Sequence, residues 1–168
     1  MNKNDNKNII KEIVHMFNDK SIHTAYLKRT IKSYIKDGFD INTKYLKGNT
    51  LAHYAVKYNV TGIFSFLYNL GLNLNICNDN FDAPIHQAVK EDKYMMVKEL
   101  VLAGADINQG SEFEETALHL AVSEGNLKII ELLLELGIDK SLVDERNLSA
   151  LDYALDEKND QVIQLLKK

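Results

Sequence analysis

Three histidines, His53, His86 and His119, stand 33 residues apart, and the single cysteine, Cys77, lies between the first two. Imidazole is the commonest metal ligand and a general base near neutral pH. A thiolate is a nucleophile where a neighbouring base or cation lowers its pKa. A metal centre or a hydrolytic site in this chain would be built from these four residues. The surrounding sequence does not supply the rest of either: there is no glycine-rich phosphate loop, no His-Glu-x-x-His and no Gly-x-Ser-x-Gly. Cys77 sits in a polar turn and reads as a surface thiol, His86 being tied to a pattern of its own.

That pattern is a repeat. The same shift of 33 residues aligns Gly38, Gly71, Gly104 and Gly137, and it carries the histidine position on to Asp152. Ala55, Ala88, Ala121 and Ala154 fall into a further register, as do Leu67, Leu100, Leu133 and Leu166. Small residues recur at Thr50, Ala83, Thr116 and Ser149. Registers kept through three or four copies without an insertion mark an internal repeat.

Each copy predicts two helices. The first begins near the Thr/Ser position, whose hydroxyl suits the first backbone N–H groups, and Pro84 occupies the first turn, where a missing N–H costs nothing. A break follows at Asn59, Asp92, Gly125 and Lys158, where Asn and Gly tolerate a left-handed backbone. The second helix shows apolar residues at helical spacing: Ile63, Phe64 and Leu67; Met96, Val97 and Leu100; Ile129, Ile130, Leu133 and Leu134; Val162, Ile163, Leu165 and Leu166. It closes on the aligned glycines, read as left-handed residues just past the helix end.

A unit this short cannot bury its own apolar stripe, so the expected fold is an all-α solenoid of stacked helix–loop–helix units. The solenoid also answers the question of the histidines. Packed helices lie roughly 8–10 Å apart, whereas zinc needs each nitrogen at about 2.0–2.1 Å. Equivalent imidazoles on successive units cannot meet around one ion. The sequence predicts no metal, no cofactor and no catalytic residue, and hence no enzyme.

The chain has 168 residues, 45% of them hydrophobic and 26% charged, which suits one globular domain with no need of staples. One cysteine permits no internal disulfide and suits a reducing compartment. The stretch MNKNDNKNIIKEIVHMF interleaves charge with apolar residues and fails as a secretory signal. No run of about 18 apolar residues would span a bilayer. The expectation is a soluble, cytoplasmic protein that does not enter membranes, a reading that leaves export into a host cell open. Residues 1–70 hold 11 Lys/Arg against 5 Asp/Glu, whereas residues 71–168 hold 9 against 19. This polarity bears on association and steering rather than on fold.

The segments GNTLAHYAV, DAPIHQAV, ETALHLAV and LSALDYAL, with GFDIN, GLNLN, GADIN and GIDKS, resemble the Thr-Pro-Leu-His-x-Ala signature and the glycine close of ankyrin repeats. The resemblance covers about residues 30–168. It implies full repeats at 43–75, 76–108 and 109–141, a fourth at 142–168 acting as a C-terminal cap, and a degenerate N-terminal cap over 1–42 with helices near 7–18 and 24–37. The whole of 1–168 is then a single ankyrin-repeat domain with short β-hairpin-like turns. Under the resemblance Thr50, His53, Pro84, His86, Thr116 and His119 are structural, each imidazole bonding backbone at its helix start and the neighbouring turn. In place of the glycine at Gly48, later copies carry Phe81, Glu114 and Asn147.

The resemblance also implies a non-enzymatic protein–protein interaction module, a scaffold holding a protein or peptide partner in a concave groove of turn tips and first helices. Carried over by register, the groove offers Leu46, Lys47, Asn49, Lys57 and Tyr58 in the first full repeat. The second gives Asp79, Asn80, Asp82, Lys90 and Glu91. The third gives Glu112, Phe113, Glu115, Ser123 and Glu124, and the last Glu145, Arg146, Leu148, Asp156 and Glu157. Phe113 and Tyr58 are its candidate anchors. The acidic second half favours a basic partner and disfavours nucleic acid, since it repels phosphate. Two alternatives stand beside this: an inhibitor or immunity-type protein masking a basic or nucleic-acid-binding surface, and a self-associating structural protein built head to tail in place of the expected monomer.

Overall fold

A computed structural model describes residues 3–167; Met1, Asn2 and Lys168, the outermost residues of the two expected caps, lie outside the described residues. Among the described residues ten α-helices follow one another: α1 (Lys3–Asn18), α2 (Thr24–Lys36), α3 (Leu51–Lys57), α4 (Phe64–Asn69), α5 (Pro84–Lys90), α6 (Tyr94–Leu102), α7 (Ala117–Ser123), α8 (Leu127–Glu135), α9 (Ala150–Asp156) and α10 (Asp160–Leu166). They pack as five consecutive pairs. The first helices stack in a row, α1 on α3, then α5, α7 and α9, while α4, α6 and α8 stack alongside. The described residues form an all-helical solenoid, with one isolated bridge, between Val143 and Ser149, as their only β pairing.

The middle of this row, α3, α5 and α7, is dry almost all round. Leu51 to Val56 are buried along α3, as are Ala117 to Val122 along α7. The aligned Ala55, Ala88, Ala121 and Ala154 are each fully buried, and a methyl group there lets successive helices approach closely. Leu67, Leu100, Leu133 and Leu166 fill the layer behind them. No pair buries these side chains alone; neighbours complete each other's core.

Between the helix pairs lie four short fingers, residues 45–49, 78–82, 111–115 and 144–148. Each is closed by a bond from the N–H of its first residue to the carbonyl of its last: Tyr45 to Asn49 at 2.8 Å, and Asn78 to Asp82, Ser111 to Glu115 and Asp144 to Leu148 at 2.9 Å. Gly48 is left-handed, and a Cβ there would fall 2.2 Å from Asp79 Oδ1 and 2.7 Å from Asp79 N, because finger 2 lies directly on it. Phe81, Glu114 and Asn147 keep the same left-handed backbone without being glycine, at φ 58°, 57° and 61°. The closing bonds hold a conformation that costs an L-residue roughly 1–2 kcal/mol.

Two expectations need correction. Helix α1 starts at Lys3 rather than near residue 7, because its first turn, Asn4-Asp5-Asn6, is polar and shows no apolar period; Asp5 there complements the helix dipole. The cap at the Thr position also works differently. Only Ser149 takes the expected bond, from Asp152 N–H at 3.3 Å. Thr50 and Thr116 instead place Oγ1 2.9 Å from the Nδ1 of His53 and His119, and it is the imidazole that receives backbone N–H.

The breaks between paired helices are left-handed at Asn59, Asp92, Gly125 and Lys158, and so are Gly38, Gly71, Gly104 and Gly137. At Gly104, with φ 106°, an added Cβ would also press to 3.2 Å on the Tyr68 ring. Gly104→Ala should therefore cost about 1–2 kcal/mol, seen as a lower urea midpoint at unchanged slope; an unshifted midpoint would contradict this account of the turn.

Candidate functional site

The histidines form no cluster. Nδ1 of His53 accepts the Thr50 N–H at 3.1 Å and Nε2 lies 2.9 Å from the Asp82 carbonyl. Nδ1 of His119 accepts from Thr116 N–H at 3.1 Å, with Nε2 3.1 Å from the Leu148 carbonyl. His86 accepts from Ala83 N–H at 3.0 Å and reaches the Gln109 carbonyl at 2.8 Å. A backbone N–H only donates and a carbonyl only accepts, so each ring is the neutral tautomer protonated at Nε2. Both nitrogens are spent: one end caps the ring's own helix and the other clasps the next repeat. Asp152 keeps the near end alone, taking Ser149 N–H at 2.8 Å.

Burial disfavours an imidazolium, and it pushes His53 down to about 4 and lowers His86 and His119 from the ordinary value; the bond to the Asp82 carbonyl pulls His53 partway back. Cys77 is half-buried and its thiol is pushed up by burial, the opposite of an activated nucleophile. Among the described residues no group of three His, Cys, Asp or Glu is placed to hold a metal ion.

The surface of finger tips and inner-helix ends gathers most of the groove residues but not all. Leu46 is 64% and Phe113 49% exposed, and Leu148 is also exposed, at 36%. Asp79, Asn80, Glu91, Glu112, Glu124, Arg146, Asp156 and Glu157 are exposed too. Asp82 is not: it is only 7% exposed, its carboxylate held by Lys90 Nζ at 2.7 and 2.9 Å. The expected partner contact at Asp82 is an internal ion pair, because Lys90 at the end of α5 points back over the finger.

Glu115 is half-buried and accepts the Tyr153 hydroxyl at 2.7 Å. Tyr58 joins a different feature, an open cleft of about 890 Å³ shared with α1 and α2 residues including Tyr26 and Tyr34, so the two candidate anchors do not share one pocket. Glu91 bonds Lys93 at 2.6 Å, while Lys93 also caps the carbonyls of Val56 and Lys57 at 2.7 and 2.8 Å.

Asp144, singled out by no motif, organises finger 4. Its side chain is fully buried; burial raises its pKa, but the Leu148 N–H, the Tyr153 hydroxyl and Arg146 overcome this and hold the carboxyl at about 2. Arg146 Nε lies 2.9 Å from Asp144 Oδ2, so the one cation at this tip is neutralised from below. The signal was present in the register: Asn78 stands two repeats, 66 residues, earlier, and its Oδ1 accepts the N–H groups of Asn80 and Asp82 just as Asp144 Oδ1 accepts those of Arg146 and Leu148.

The family model for ankyrin repeats (3 copies) matches this stack of helix pairs over residues 3–111 and 85–168. The chain belongs to the ankyrin-repeat family. No curated protein matches it. Ankyrin repeats are protein–protein interaction modules, typically without enzymatic activity. No helix among the described residues is long and apolar enough to cross a membrane.

The buried imidazoles give this ankyrin stack a pH signature. Below the ordinary value of 6.5 the unfolded chain binds protons that folded His53 refuses until about pH 4. Stability is therefore complete above 6.5 and falls as pH drops through that window. For His53 the shift corresponds to about 3 kcal/mol. Thermal midpoints measured from neutral pH downward should decline across this range. His53→Leu should cost about 1–3 kcal/mol of lost buried bonding, seen as a lower midpoint at neutral pH, and should flatten the decline; an equally steep decline would exclude His53 as a source of it.

Proposed function

We propose that the ankyrin stack is a non-enzymatic binding module, a single domain over 1–168 with its outer helix pairs as caps, that holds a basic protein or peptide segment along its finger face. One observation carries the reading. Among the described residues, ion pairs neutralise Asp82, Glu91 and Asp144, but none reaches Glu112, Glu124, Glu145, Asp156 or Glu157. Uncompensated carboxylates on one face raise the local concentration of cationic partners and speed encounter, while apolar contacts set the lifetime of the complex. Masking a basic nucleic-acid-binding surface, as an inhibitor would, uses the same chemistry.

Head-to-tail self-association is the second reading, favoured by the exposed Lys7, Lys11, Lys32 and Lys36 of the first helix pair against the acidic far half. Sedimentation across a salt series tests it: a monomer throughout removes it. For the leading reading, changing Glu112, Glu124 and Glu145 together to Lys should slow association with a cationic partner roughly tenfold at low salt and weaken its salt dependence. Stopped-flow rates that match the unaltered protein would dispose of the acidic face.

A further inference from the structure

Fingers 2 and 3 differ from the others in three respects. Neighbouring tips elsewhere are laced by a backbone bond, Asp79 N–H to the Lys47 carbonyl and Glu145 N–H to the Phe113 carbonyl, each at 3.0 Å. Among the described residues no such bond joins the tips of fingers 2 and 3. The imidazole clasp is displaced at the same joint: His86 takes the Gln109 carbonyl, ahead of finger 3, whereas His53 and His119 take the last carbonyl of fingers 2 and 4. Gly110 accompanies this, since a Cβ there would lie 2.7 Å from Glu114 Oε2 and 3.1 Å from Glu114 Cα.

The third respect is what these two fingers present. Phe81 is 54% and Phe113 49% exposed. Phe81 is moreover left-handed at φ 58°, an unfavourable backbone for a bulky residue, and it holds its ring largely in water. The exposed Asp79, Glu112 and Glu114 flank the two rings, and none of them enters an ion pair among the described residues. The backbone that carries Phe113 is already fixed: Glu145 N–H holds its carbonyl, and the Tyr153 hydroxyl holds Glu115 two residues on. An anchor on a backbone ordered before binding leaves less freedom to be lost on binding.

We infer that the tips of fingers 2 and 3, Phe81 and Phe113 with Asp79, Glu112 and Glu114, are the specificity-determining contact, and that they take a partner segment in which an aromatic or aliphatic side chain is flanked by Lys or Arg. The inference rests on the proposed basic partner and adds where on the face it is read. Charge complementarity selects the cationic flanks; the two phenyl rings select the apolar residue between them and add cation–π attraction to its neighbours.

The protein contains no tryptophan, so a tryptophan in a probe peptide reports binding without background. Three synthetic peptides serve as probes: one alternating Lys and Leu around a central Trp, one with every Lys replaced by Glu, and one with every Leu replaced by Ser. The first should bind at low salt and the other two at least tenfold more weakly. Phe113→Ser should weaken the first peptide at least fivefold, while Leu102→Ser, at a 68% exposed position on the outer helix α6, leaves it within twofold.

Phe81→Asn is the decisive variant, because asparagine accepts the left-handed backbone better than phenylalanine. It should bind at least fivefold more weakly while melting at or above the temperature of the unaltered chain. A lower melting temperature would mean that the ring serves the fold, and the inference falls. It falls alone if the Lys/Leu peptide binds, is lost on Glu124→Lys or Glu157→Lys, and ignores Phe81 and Phe113. Equal binding of the Lys and Glu peptides, or of none, overturns both the contact and the acidic-face reading.

Discussion

The bond from imidazole Nε2 to the carbonyl of the next repeat is the interaction the stack depends on. Each first helix is only seven residues long at α3, α5 and α7, too short to persist alone in water. What fixes it is a ring with two obligations: an acceptor turned toward its own helix start and a donor turned toward its neighbour. Only the neutral ring meets both. Its burial removes the solvent that would charge it, and its partners remove the alternative tautomer. Hydrophobic packing supplies most of the stabilisation, but it is non-directional; the clasp sets which finger lies beside which helix.

A second constraint is the left-handed backbone at one position of every finger. At Gly48 the cause is steric, since finger 2 occupies the space of a side chain. At Phe81 no such obstacle exists, and a costly residue stands there with its ring exposed. The same joint lacks the tip-to-tip bond and carries a displaced clasp. These observations come from independent atoms and coincide in one place, within the acidic part of the chain.

The architecture was legible from the aligned glycines, alanines and leucines, because a solenoid repeats its packing and packing dictates residue type at fixed intervals. The left-handed breaks at Asn59 and Gly125 were legible for the same reason. What escaped was determined by contacts that residue type and interval do not announce. Asp82 looked like a surface carboxylate until Lys90 was seen over it. The Thr50 hydroxyl looked like a cap, yet the imidazole one turn later is the better acceptor. Tyr58 and Phe113 fell into comparable surface positions by register but line separate features, since α1 closes a cleft around Tyr58 alone. The first turn of α1 is polar and has no periodicity to announce it.

The buried alanine column has a consequence that reaches the surface. Its four methyl groups act as spacers of fixed thickness at the centre of the pile. Extra bulk at Ala88 or Ala121 would wedge two rungs apart, and everything beyond the wedge would shift with them, fingertips included. The pitch at which this protein offers its exposed side chains to another molecule is therefore machined by atoms that never touch it.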